Sequence, residues 1–154
     1  MKPHIVLIPG AWHSGDAYDT MLPFLHSHGY ETTALTLPSV GAEPPLTSLD
    51  PEIEHIRNKV EPLLEKGQDV VVVMHSYGGF AGSAALHGLS TAERKKDGQP
   101  GGVVSLVYLA AWMLDEGRAL RGSGGGSGGK FGLSALREEV RPHCKVASPL
   151  TMSG

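Results

Sequence analysis

The run Val70-Val71-Val72-Val73-Met74, followed at once by His75-Ser76-Tyr77-Gly78-Gly79, constrains this chain more than any other stretch. Consecutive β-branched residues predict a strand buried on both faces. Gly78 and Gly79 then open an apolar, alanine-rich segment that predicts a helix running to about Leu89. A serine at the apex of strand, sharp turn and helix has two readings. It can cap the helix, as serines commonly do. Or it can be a nucleophile forced out above the sheet, where the helix N-terminus favours developing negative charge. The surrounding pattern is what the second reading requires, so Ser76 is the leading catalytic candidate. A turn this tight wants small residues two positions either side of the serine. Gly78 complies, Met74 does not, and local strain is expected there.

The rest of the chain alternates strand and helix. Ile5-Val6-Leu7-Ile8 predicts a buried strand ended by Pro9-Gly10, and Ala17 to His28 a helix stopped by Gly29. Thr32 to Leu37 predicts a second strand, before the turn-rich Pro38 to Pro45. Asp50 and Pro51 then open a helix as cap and first residue, with Ile53, Ile56, Val60, Leu63 and Leu64 as its apolar stripe. Pro62 is expected to kink or shorten that helix. After the strand Asp69 to Met74 and its helix come a polar loop and a fourth strand, Val103 to Ala110. The fold class is α/β, a mostly parallel sheet with helices on both faces and functional groups at the carboxyl ends of strands.

With 154 residues, 40% hydrophobic composition and a net charge of −3, the chain has single-domain size. That charge argues against nucleic acid or an anionic membrane as partner. The basic cluster Arg94-Lys95-Lys96, flanked by Glu93 and Asp97, is expected to be a solvated loop. Cys144 is the lone cysteine and forms no intramolecular disulfide. The apolar run at the N-terminus is too short for a signal peptide or a membrane span, so a cytoplasmic location is expected.

No cofactor or metal is expected. Gly10 and Gly15 stand five apart as in a phosphate-binding loop, but Asp16 and Ala17 follow, where Lys and Ser/Thr are needed. No paired zinc-ligand spacing occurs, and His26 and His28, two apart near a helix end, diverge.

The pattern changes at Gly122-Ser123-Gly124-Gly125-Gly126-Ser127-Gly128-Gly129, which has linker composition and nothing to bury. So clean a tract within an α/β chain reads as an engineered splice, spanning roughly 16 Å. A short helix is expected at Phe131 to Val140, stopped by Arg141-Pro142-His143.

Three stretches carry a family resemblance: Ile5 to His13, Met74 to Gly79, and Leu106 to Asp115. Together they make the chain resemble the α/β-hydrolase superfamily, in its branch of small esterases and hydroxynitrile lyases. The resemblance implies Ser76 as nucleophile, with the backbone N–H groups of Ala11 and Tyr77 as oxyanion donors, and Gly10, Trp12 and His13 near the pocket. Glycine at position 10, where the lyase branch carries threonine, favours hydrolysis of an ester or lactone. His75 is expected to point away from the nucleophile's face, and His143 matches no triad position. Asp115 is a weak candidate for the triad acid.

In this superfamily the acid and the histidine follow the serine, on loops after later strands. The resemblance therefore divides the chain into 1–120, the N-terminal part of the core, 121–129, a linker replacing a cap segment, and 130–154, the cap exit. It implies a partial fold lacking the C-terminal strands, inactive or weak alone. Its exposed sheet edge would recruit a complementary fragment or a second copy. A non-catalytic split-protein half and a ligand-binding scaffold remain open as alternatives.

Overall fold

The computed structural model describes residues 1–113. The linker at 121–129, the segment 130–154, Asp115, His143 and Cys144 lie outside the described residues. Strands β1 (His4–Ile8), β2 (Thr32–Ala34), β3 (Asp69–His75) and β4 (Gly102–Leu109) form a parallel sheet in the order β2-β1-β3-β4. Strand β2 is shorter than the expected Thr32–Leu37. Leu35 and Leu37 nevertheless reach the core, and the Leu35 amide donates to Leu7 O at 2.9 Å.

Helix α1 (Leu22–Ser27) begins later than expected, because a 3₁₀ turn at Gly15–Tyr18 precedes it and Pro23 sets its first turn. Helix α2 (Asp50–Glu65) is capped by Leu49 and not by Asp50, whose carboxylate lies inside the first turn, where the helix N-terminus favours negative charge. The helix runs through Pro62 without ending. Pro62 and Asn58 are both exposed, so the carbonyl that the missing N–H leaves unbonded can be hydrated. Helix α3 (Tyr77–Ala85) stops short of Leu89.

The expected polar loop after α3 contains a helix, α4 (Thr91–Lys96). Ser90 and Glu93 form a reciprocal cap, with Glu93 N donating to Ser90 Oγ at 3.2 Å and Ser90 Oγ donating to Glu93 Oε2 at 2.6 Å. The capping-box spacing was present in the sequence. Nor is Arg94 solvated: it is buried, and its guanidinium donates to the carbonyls of Pro100 and Gly101.

The core lies between one sheet face and two helices. Val6, Ile8, Val70, Val72 and Met74 meet Ile56, Val60 and Leu64 of α2 and Ala81 and Ala85 of α3. Each fully buried aliphatic side chain contributes about 1.5–3 kcal/mol. Among the described residues β3 alternates instead of being buried throughout, with Val71 and Val73 half-covered. Met74 fits its tight turn because α3 offers a glycine opposite it. A Cβ at Gly82 would stand 2.6 Å from Met74 Sδ.

Candidate functional site

Strands β1 and β3 are neighbours, with Ile8 in register with Met74. The chain leaves β1 for β2 on one side and leaves β3 for β4 on the other. Connections that diverge in this way open a crevice at the carboxyl ends of the two strands. Backbone strain gathers at the same end of the sheet. Among the described residues, the non-glycine residues with positive φ are Trp12 at 65°, Ser76 at 50° and Ala110 at 44°, each in the segment that follows a strand. Such conformations cost about 1–3 kcal/mol each and persist where the surroundings impose them.

Ser76 sits in the turn between β3 and α3 with φ 50° and ψ −120°. It occupies the cap position of α3, but its side chain accepts no capping hydrogen bond. The capping reading therefore loses its support. The turn is held by its backbone: Ser76 N donates to Leu109 O at 3.3 Å, and Ser76 O accepts from Gly79 N at 3.1 Å and Trp112 N at 3.2 Å. Among the described residues, no side chain hydrogen-bonds the Ser76 hydroxyl.

The first strand's loop lies against this turn. A Cβ on Gly10 would stand 3.1 Å from Ser76 Cβ and 3.0 Å from His75 Nδ1, and one on Gly78 would stand 2.5 Å from Pro9 O. Backbone meets backbone at Gly78, and Gly10 lies beside the serine. Among the described residues, the N–H groups of Ala11 and Tyr77 have no hydrogen-bond partner. His75 packs its ring against Gly10, with the His13 ring edge-on at 6.3 Å. His13 is exposed, and its Nδ1 bonds to Ala11 O at 2.8 Å within its own loop. Neither histidine is hydrogen-bonded to Ser76.

Beside the turn is a cavity of about 390 Å³, bounded by Trp12, Tyr77, Glu52 and the loop from Ser39 to Ser48. Trp12 is 89% exposed at its mouth. Glu52 is 1% exposed, and its Oε2 accepts a 2.5 Å hydrogen bond from the Tyr77 hydroxyl. Its Oε1 has no partner. An orphaned buried acceptor costs about 1–3 kcal/mol. Burial, then the hydrogen bond to Glu52 and its charge, push the Tyr77 phenol well above its ordinary range.

Glu52 is the site residue that sequence reasoning missed. The signal was there: Glu52, Ile56, Val60 and Leu64 recur every four residues and are all buried, so a charged group interrupts the buried stripe. His26 and His28 do diverge, bonding Thr32 Oγ1 at 2.7 Å and Phe24 O at 2.9 Å respectively. Among the described residues no cluster of metal-ligating side chains occurs, and no helix is long and apolar enough to cross a membrane.

A parallel sheet whose connections part above a strained serine turn has the architecture of the α/β hydrolases. The chain belongs to that family: the model described as "Alpha/beta hydrolase family" matches residues 5–149. An alpha/beta hydrolase of Aspergillus novofumigatus, nvfD, is 37% identical over 122 residues, 79% of this chain and 48% of that protein. Methyl jasmonate esterase 1 of Vitis vinifera is 36% identical over 151 residues, 94% of this chain and 48% of that protein. The crystal structure of a methylesterase from Arabidopsis aligns with a TM-score of 0.60 at 20% identity, covering 76% of this chain and 47% of that one. This likeness shows the fold. The chain spans about half the length of the curated relatives it matches.

Proposed function

We propose that this chain carries the nucleophile and oxyanion portion of a serine hydrolase acting on a small carboxylic ester or lactone. The observation that supports it best is Ser76 itself, held at φ 50° without capping the helix it precedes. In the proposed reaction Ser76 Oγ attacks the carbonyl carbon, forming the Oγ–C bond while the carbonyl electron pair moves onto oxygen. The N–H groups of Ala11 and Tyr77 stabilise that oxyanion, an effect typically worth several kcal/mol in the transition state. The alkoxide leaves with a proton, and water hydrolyses the acyl-enzyme. The family resemblance assigns the proton transfers to a histidine oriented by an acid; the weak acid candidate Asp115 lies outside the described residues. Relatives that include a methyl jasmonate esterase support an ester substrate. Gly10, with no side chain to crowd Ser76 Cβ, supports a pocket open to an acyl group.

A second reading rests on β4. Its Val104 and Leu109 side chains are exposed. In that reading the chain is a non-catalytic half or binding scaffold that assembles with a complementary fragment or a second copy through these apolar side chains. Labelling with a fluorophosphonate, followed by peptide mass spectrometry, separates the two. Modification at Ser76 is expected for the hydrolase. An unlabelled serine in a folded, associated protein would favour the scaffold.

A further inference from the structure

A carboxylate as buried as Glu52 is normally paired with a cation or saturated with donors. Glu52 has neither: one oxygen holds the Tyr77 hydroxyl and the other has no partner. A leucine here would continue the stripe of Ile56, Val60 and Leu64 without that penalty. What the carboxylate adds is a grip on Tyr77. That residue follows Ser76 directly, begins α3 and borders the 390 Å³ cavity, so an untethered ring has room to swing aside. Backbone bonds from Leu109 and Trp112 secure the turn on the β4 side. The Glu52–Tyr77 bond secures it on the α2 side, joining positions 25 residues apart in sequence.

We infer that Glu52 is a positioning residue: by holding the Tyr77 phenol, it keeps the Tyr77 N–H aimed at negative charge that develops above Ser76. This rests on the reading of that N–H as an oxyanion donor. A misplacement well below one ångström weakens such a donor, because its value depends on being preorganised.

The test uses phenylboronic acid and the full chain. Ser76 Oγ adds to boron, its proton passes to buffer, and the boron becomes tetrahedral and anionic. Boron-11 NMR reports the adduct, and the amide proton of Tyr77 in a ¹⁵N-labelled sample reports the hydrogen bond to it. In the unsubstituted protein the Tyr77 amide is expected to move downfield on binding. Tyr77→Phe and Glu52→Ala should weaken binding roughly three- to tenfold and lose most of that shift. Glu52→Gln, whose carbonyl can still accept the phenol, should restore most of it. Absence of any Ser76 adduct, or an unmoved Tyr77 amide in the unsubstituted protein, overturns the oxyanion reading and this inference with it. A normal response there, with Tyr77→Phe and Glu52→Ala responding equally well, overturns the positioning role alone. Thermal unfolding run in parallel exposes a purely structural role, which would lower Tm and leave the amide shift intact. If Glu52→Ala does not fold, Tyr77→Phe carries the test, since it removes a single oxygen.

Discussion

Ser76→Ala is expected to lower kcat for ester hydrolysis by roughly 10⁴- to 10⁶-fold in the catalytically competent protein. The substitution removes only Oγ, which caps nothing in the structure, so Tm should change little. Capping serines behave differently: replacing one by alanine costs about 1 kcal/mol of stability and leaves chemistry alone. The two outcomes are opposite in both measurements, which makes one variant decisive. Steady-state kinetics on a p-nitrophenyl ester, with thermal unfolding of the same samples, is the experiment. Near-full esterase activity in the alanine variant would remove Ser76 from the mechanism.

Gly78→Ala should be among the most damaging single-methyl additions the chain can suffer. Its new Cβ would stand 2.5 Å from Pro9 O and 2.7 Å from Ile8 O. Those are backbone atoms at the end of β1, and they have no rotamer to yield with. Either β1 and α3 separate or the turn at Ser76 opens. We expect a loss of about 3 kcal/mol or more, read as a lower urea midpoint, together with lost labelling of Ser76. Gly88→Ala is the control. Unlike Gly78 it has a positive φ, of 79°, and nothing lies within 4 Å of its Cβ. That variant should lose only the conformational cost of about 1–2 kcal/mol. Equal destabilisation by the two would show that the close approach of strand and helix at Gly78 does not hold the turn.

Much of this architecture was legible because its causes are local. The aliphatic runs, with their glycine and proline stops, located the four described strands to within a few residues, and Asp50-Pro51 marked the start of α2 to within one residue. Misjudged boundaries had local causes too. Pro23 delayed α1, and the Ser90–Glu93 box built a helix where charge alone suggested a loop. Arg94 shows the limit of composition: its neighbours are solvated lysines, yet it turns inward to the carbonyls of Pro100 and Gly101.

The amino-acid order by itself determined that a serine would stand at the end of a buried strand and open a helix. Strand and helix preferences, and the glycines that so sharp a turn demands, act over a few consecutive residues. Tertiary structure alone decided the rest of the site. Placing β1 beside β3 brought Gly10 to a serine more than sixty positions away. Packing α2 over the sheet carried Glu52 to the phenol of Tyr77 and left one of its oxygens without a partner. Contacts of that range depend on which strands neighbour one another and how helices cross them. They are set by burial of the whole apolar face, and no window of consecutive residues contains that information.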